Sequence, residues 1–333
     1  MAHNPKLNVY TLKLNPKDDS VETFRDLFKL KYDCDTSVSD NDLYTRYFQS
    51  FVNGIGDDKF RKDTKNKKVI GTVKNSNVAV PLFPHDNQYI DGVIEGGKYG
   101  IRREYADTDN KQDKKIIGEN NAVLDQYYIL LYTPLNAKIG FLLVQSYTEE
   151  SIQDSFKDFI SKFFSCDDFF YNIIIEPFVP QNIVDKYMKE TKIRMFSFIT
   201  KTALSSSLRD NVQIKGQTFE VEIKIKPLDE KLNPNSKETS QIIKAVGDKL
   251  FDGKPLNEGK TKAYIEDSKK RKANYDIEKD IKSIRPTIYL EDAGIVSDET
   301  TGLPNYKAIQ EYCLQVLQEV KDEFKKKQDI CEF

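Results

Sequence analysis

Residues 125–165, DQYYILLYTPLNAKIGFLLVQSYTEESIQDSFKDFISKFFS, constrain this chain more than any other stretch. Two apolar runs, 127–132 and 139–145, are separated by Thr133-Pro134-Leu135-Asn136-Ala137-Lys138, whose Pro and Asn suit a turn. Short runs rich in aliphatic and aromatic side chains, bounded by turn chemistry, predict a hairpin of buried strands. Thr148 and Ser151 then offer caps for a helix carrying Ile152, Phe156, Phe159, Ile160, Phe163 and Phe164 at helical spacing. A hairpin apolar on both faces and a Phe-rich stripe must bury each other, which predicts the core of an α+β fold. No catalytic signature interrupts it.

Before that core, residues 7–14 read as an edge-type first strand ended by Asn15-Pro16. Ser20 can cap a helix with Val21, Phe24, Leu27 and Phe28 on one face. Ser39 or Asp40 can open a second, with Leu43, Tyr44, Tyr47, Phe48 and Phe51 as its stripe. Short strands are expected over 69–73, 78–82, 89–95 and 99–105, the last two joined by a Gly96-Gly97 hairpin turn. Residues 106–115 read as a polar loop.

After the core, 171–176 is expected as a buried strand stopped by Pro177, and Pro180 precedes a short helix with Ile183, Val184, Tyr187 and Met188. A strand over 193–201 places Ile193, Met195, Ser197 and Ile199 on one face and Arg194, Phe196 and Phe198 on the other. Residues 218–226 alternate cleanly, Phe219, Val221, Ile223 and Ile225 inward and Glu220, Glu222, Lys224 and Lys226 outward, which predicts a half-solvated antiparallel strand. A helix near 242–251, a short strand at 288–290 and a closing helix opened by Asn305 complete the chain. The expected fold class is α+β: two antiparallel sheets flanked by helices, divided into an N-terminal part, 1–115, and a C-terminal part, 116–333.

A chain of 333 residues can hold two such parts. Its formal net charge of −2 hides a sorted distribution: −3 over residues 1–58, +5 over 59–115, −6 over 116–190, +7 over 191–285 and −5 over 286–333. Two basic blocks alternate with three acidic ones, an asymmetry that suits a polyanionic partner, although solvated loops also carry lysine. Cys34, Cys166, Cys313 and Cys331 show no metal or disulfide spacing. The N-terminus has no apolar leader core, and no apolar run reaches the roughly 18 residues of a membrane span. These features suggest a soluble, cytoplasmic protein.

With only His3 and His85, a histidine-built metal site is excluded, and a hydrolytic triad would have to use His85 without a nucleophile elbow. The GVIEGGKYG string lacks the Walker spacing, though Lys98, Arg102 and Arg103 around it could face a phosphate backbone. No cofactor is indicated. One catalytic pattern is weighed. Glu222-Ile223-Lys224 on a strand, preceded by Asp210, has the E-x-K alternation of metal-dependent PD-(D/E)xK nucleases. Any solvent face of an amphipathic strand shows the same alternation, and Asp210 falls in a polar loop. An interaction module using acidic pairs such as Glu149-Glu150 and Asp167-Asp168 is a third possibility. The preferred reading is nucleic-acid binding through the phosphate backbone, using Lys201, Lys215, Lys224 and Lys226 on strands, then Lys269, Lys270, Arg271, Lys272 and Arg285.

Roughly from Tyr127 to Phe324, the order of hairpin, helix, IIIEPFVPQ, KIRMFSFITK, TFEVEIKIKPL, basic stretch and GLPNYKAIQEYCLQVLQEVKDEF resembles the RexA family of phage-exclusion DNA-binding proteins. The layout also looks like the KwaB proteins of Kiwa anti-phage systems. The resemblance implies a homodimeric cytoplasmic protein that binds DNA with little sequence preference and acts in antiviral defence. It further implies a separate membrane-protein partner. No individual DNA-contacting residue is carried over, and residues 1–115 lie outside the likeness.

Overall fold

In the computed structural model the predicted hairpin is β8 (Val123–Tyr132) and β9 (Ile139–Tyr147), paired antiparallel from Ile129–Val144 to Tyr132–Phe141. The structure describes residues 4–331 except 18–20, 35–36, 75–77, 166–172, 203–218, most of 228–258, 278–284 and 299. The hairpin sits inside an antiparallel sheet built with β1 (Pro5–Lys13), β2 (Arg61–Asp63), β3 (Lys68–Thr72), β5 (Tyr89–Lys98) and β10 (Ile174–Phe178). The strand order is β10-β1-β9-β8-β5-β3-β2. Off this path β15 (Ile288–Tyr289) also pairs with β1, and β4 (Phe83–His85) also pairs with β5.

Strand alternation sends opposite faces of this sheet to different helices. Tyr10, Leu12, Ile90, Ile94, Ile129, Leu131, Leu142 and Val144 join one buried cluster with α1 (Phe24–Lys31), α2 (Asp40–Ile55) and α3 (Gln153–Phe164). Phe28 stacks on Tyr47 with centroids 4.2 Å apart, and Phe164 packs on Phe24 at 5.8 Å, so the Phe-rich stripe of α3 closes against the other two helices. The opposite face meets α5 (Tyr306–Cys331). Here Phe324 lies 5.2 Å from Phe141 of β9 and 5.2 Å from Phe178 of β10. Coverage on both faces explains why the central strands read as unbroken apolar runs.

Helix ends follow their local chemistry. Ser39 caps α2 by accepting the Asp42 N–H at 3.1 Å, as expected, and Gly56 ends that helix at φ 111°. Thr23, not Ser20, caps α1, through a capping box with Asp26. Asn305 accepts the Ala308 N–H at 3.2 Å to start α5.

Several expectations change. β1 is interior, with β9 on one side and β10 and β15 on the other, while β10 is the edge; Pro177 has no N–H to give a further neighbour. Residues 78–82 form no strand. Gly96 and Gly97 make no turn, because β5 runs straight through them without positive φ. A Cβ at Gly96 would come within 2.7 Å of the Val69 carbonyl, and one at Gly97 would overlap the Val123 carbonyl. Close approach of neighbouring strands, not hairpin geometry, calls for these glycines. The hairpin lies further on, as a separate two-stranded ribbon of β6 (Arg103–Ala106) and β7 (Lys114–Ile117), where residues 106–115 read as loop.

The division between 115 and 116 is also corrected. β5 and β8, from either side of it, are paired from Tyr89–Tyr132 to Lys98–Val123, so a cut there would strip a buried ladder of its partners. The compact units are Met1–Val179 with Thr287–Phe333, and Pro180–Pro286. Among the described residues no helix is long and apolar enough to cross a membrane.

Candidate nucleic-acid interface

The unit Pro180–Pro286 holds α4 (Gln181–Glu190) and a four-stranded antiparallel sheet in the order β12-β11-β13-β14. Its strands are β11 (Lys192–Thr202), β12 (Phe219–Ile225), β13 (Gly259–Glu266) and β14 (Lys272–Ile277). Ile193, Phe196, Phe198, Ala263 and Ile265 are buried on one face. On that face Tyr275 donates its hydroxyl to the Tyr187 hydroxyl of α4 at 3.3 Å, and Val184 and Met188 of α4 are buried. The expected phase of β11 fails at its start. A bulge between Ile193 and Met195 inserts one residue, so Ile193 shares a face with Phe196 rather than with Met195.

No described element covers the other face. Lys224 of β12, Lys226 just after it, and Lys272 and Asn274 of β14 are exposed, while Lys262 and Tyr264 of β13 are half-buried between them. Register places Lys224 and Lys262 on either side of Ser197, and Tyr264 between Met195 and Asn274. Arg194, Lys224, Lys226, Tyr264, Lys272 and Asn274 are among the residues around a depression of about 470 Å³. Neighbouring strands are about 4.8 Å apart, so cations from β12 and β14 reach one shallow surface.

Some of this charge is locally compensated. Lys224 Nζ lies 3.0 Å from Glu222, and Arg194 Nε lies 3.1 Å from Glu266. The Ser197 hydroxyl donates to Glu222 at 2.6 Å; this bond, then the one from Lys224, holds the carboxyl below its ordinary range, and Glu222 in turn raises Lys224. Lys262 also acts on the Glu222 carboxylate through charge, whereas Lys226, Lys270 and Lys272 have no carboxylate partner among the described residues.

The predicted binding residues therefore divide. Lys224, Lys226 and Lys272 converge on the open face. Lys269 and Lys270 sit exposed in the β13–β14 turn, whereas Arg271 is drawn in to Asp267, with Nε 2.6 Å from a nearly buried carboxylate. Lys201 stands in β11 opposite Glu220, and Arg285 is exposed on the chain leading to β15. Lys215 lies outside the described residues. Arg194, Lys262, Tyr264 and Asn274 are additions. The alternation of Thr261, Ala263 and Ile265 with Lys262 and Tyr264 is a strand signal hidden in a stretch that composition marks as polar.

The nuclease constellation is only partly assembled. Glu222 and Lys224 share a face, but they bind each other, and Asp210 lies outside the described residues. Among the described residues no group of three His, Cys, Asp or Glu side chains is placed to hold a metal ion. His85 is tied into the other unit. Its Nε2 lies 2.7 Å from buried Asp91, which also accepts from Tyr128 Oη at 2.7 Å and from Gln310 Nε2 of α5 at 2.8 Å. That network satisfies a buried carboxylate and fastens α5 to the sheet. Of the acidic pairs, Glu150 is joined to Lys98 at 2.8 Å, and Asp167-Asp168 lie outside the described residues.

Comparison with known proteins yields no match to a family model, to a curated protein or to a solved structure.

Proposed function

We propose that the open face of the four-stranded sheet binds nucleic acid, mainly through the phosphate backbone and with little base selection. One observation carries this reading: Lys224 and Lys226, on and just after one edge strand, and Lys272, on the opposite edge strand, meet around Tyr264, and Lys226 and Lys272 have no carboxylate partner among the described residues. Gathering like charges on a rigid surface raises its potential, and a polyanion lowers it by displacing its own counterions. Lysine predominates over arginine here, which favours point contacts with phosphates over bidentate base recognition. A half-buried tyrosine in a basic sheet face also suits stacking by an unpaired base. DNA as the partner, a homodimer in the cytoplasm, a separate membrane-protein companion and a role as sensor or effector in anti-phage defence belong to the same proposal. They rest on the resemblance of segment order to RexA-like and KwaB-like proteins read from the sequence.

Filter binding against salt tests it. Log K should fall linearly with log [salt], and Lys226→Ala/Lys272→Ala should reduce the magnitude of the slope by about 2 while leaving the fold unchanged. A flat plot refutes phosphate contact. Divalent-ion-dependent cleavage that disappears in Glu222→Gln would replace this reading with the nuclease.

A further inference from the structure

We infer that the other unit carries a second phosphate-backbone contact, formed by the β2–β3 hairpin, Tyr99 and the root of the β6–β7 ribbon. The identity of its partner rests on the nucleic-acid reading above; the residues are different. Exposed Lys62 and Lys67 both hold their ammonium groups over the ring of Tyr99, 5.5 and 5.9 Å from its centroid. Lys65 is exposed in the turn of the same hairpin. The carboxylate nearest in sequence does not neutralise them. Asp63 accepts the Asn66 N–H at 3.0 Å, the Asn66 side-chain amide at 2.7 Å and the Ser155 hydroxyl at 2.6 Å, which turns it into the hairpin.

Tyr99 is fixed in place. Its N–H donates to the Lys67 carbonyl at 3.0 Å, and the Gly100 N–H donates to the Glu119 carbonyl at 2.9 Å. These two bonds hold the root of the ribbon beside the hairpin. Arg102 and Arg103 follow directly, both exposed. Lys62, Lys65, Lys67, Arg102 and Arg103 have no carboxylate partner among the described residues. Nearby cations behave differently: Lys98 pairs with Glu150 at 2.8 Å, Lys74 with Asp58 at 2.7 Å and Lys114 with Glu104 at 3.2 Å. Unpaired cations thus gather where hairpin and ribbon meet, while Lys114 and Lys115 further along the ribbon are paired with Glu104 and Asp113. A phosphodiester strand crossing Tyr99 would relieve the like-charge cost of two ammonium groups on one ring. The lysines occupy the ring, so this contact engages backbone rather than stacked bases.

The test uses the full chain and fluorescence anisotropy with a labelled DNA single strand and its duplex across a salt series. Lys62→Ala/Lys67→Ala and, separately, Arg102→Ala/Arg103→Ala should each reduce the magnitude of the salt slope by about 2, with circular dichroism unchanged. Lys62→Arg/Lys67→Arg should keep the wild-type slope. A larger change on the duplex or on the single strand identifies which form crosses the site. Unaltered slopes in both alanine variants, alongside a loss in Lys226→Ala/Lys272→Ala, overturn this contact alone. The converse pattern overturns the sheet-face reading alone, and no binding by the wild-type chain overturns both. Displacement by poly-glutamate as effective as by unlabelled DNA would reassign the surface to an acidic protein and overturn the inference.

Discussion

The nine-stranded sheet is covered by α1, α2 and α3 on one face and by α5 on the other, whereas the four-stranded sheet has α4 on one face and, among the described residues, no element over the other. Their sequences differ accordingly. β8 and β9 are apolar along nearly their whole length, while β12 alternates Glu222 and Lys224 with Ile223 and Ile225, and Lys226 follows it directly. A doubly covered sheet has no face of its own to spare for a polyanion, so the cations of its unit stand on helices, hairpins and ribbons, such as Lys326 on α5 and Lys62 and Lys67 on the β2–β3 hairpin. A singly covered sheet holds its cations on a rigid pleat. Two ways of presenting charge, from a margin and from a face, therefore occur in one chain.

The largest effect should come from the doubly covered unit. Phe164 is fully buried against Phe24, Phe28 and Tyr47, so Phe164→Ala should cost about 3–5 kcal/mol in urea unfolding. A loss comparable to that of an exposed residue would show that α3 does not close this core. Gly97→Ala comes next, at about 1–3 kcal/mol, because its methyl group must displace the β8 backbone. If instead the Gly96-Gly97 pair served as a turn, alanine would be resisted by φ alone and the pairing of β5 with β8 would break at that point.

A smaller, pH-dependent term should come from Asp63. Burial raises its pKa, but hydrogen bonds from Ser155 and Asn66 outweigh this and bring the value to about 2. An unfolded aspartate titrates near 3.9, so the folded value is depressed. The stabilisation is therefore complete above about pH 4 and is lost as the pH falls through 2. The stability gap between wild type and Asp63→Asn should close over that window; a gap persisting at its lower end would disprove the assignment. At the small extreme, the stability of Lys226→Ala/Lys272→Ala should stay within about 0.5 kcal/mol of wild type. A larger loss would mean that the open face serves packing rather than binding.

Much of the architecture was legible. The hairpin of β8 and β9, the stripe of α3, the Ser39 cap and the closing helix all follow from periodicity and local capping, which act over a few residues. Other features depend on neighbours distant in sequence. The edge position of β10 and the interior position of β1 are set by which strands pair with them. Gly96-Gly97 has the composition of a turn, and only the approach of β3 and β8 reveals its role. The bulge after Ile193 shifts the face of one residue, which alternation counted from either end misplaces. For the candidate site, Lys224 and Lys226 were visible through alternation. Arg194 was not, because it sits at the bulge of β11 where alternation breaks, and Lys262, Tyr264 and Asn274 were not, because β13 and β14 lie in a stretch whose polar composition masks its period.

By itself the amino-acid order determined which segments must be buried, where helices could start, and that basic and acidic blocks alternate along the chain. Those are properties of short windows, decided by side-chain size, polarity and backbone preference. Only the tertiary structure decided that lysines from β12 and β14 lie on one surface, that Arg271 turns away to Asp267, and that Lys62 and Lys67 meet at Tyr99. Such proximities arise from strand order and register, which burial selects across the whole chain at once.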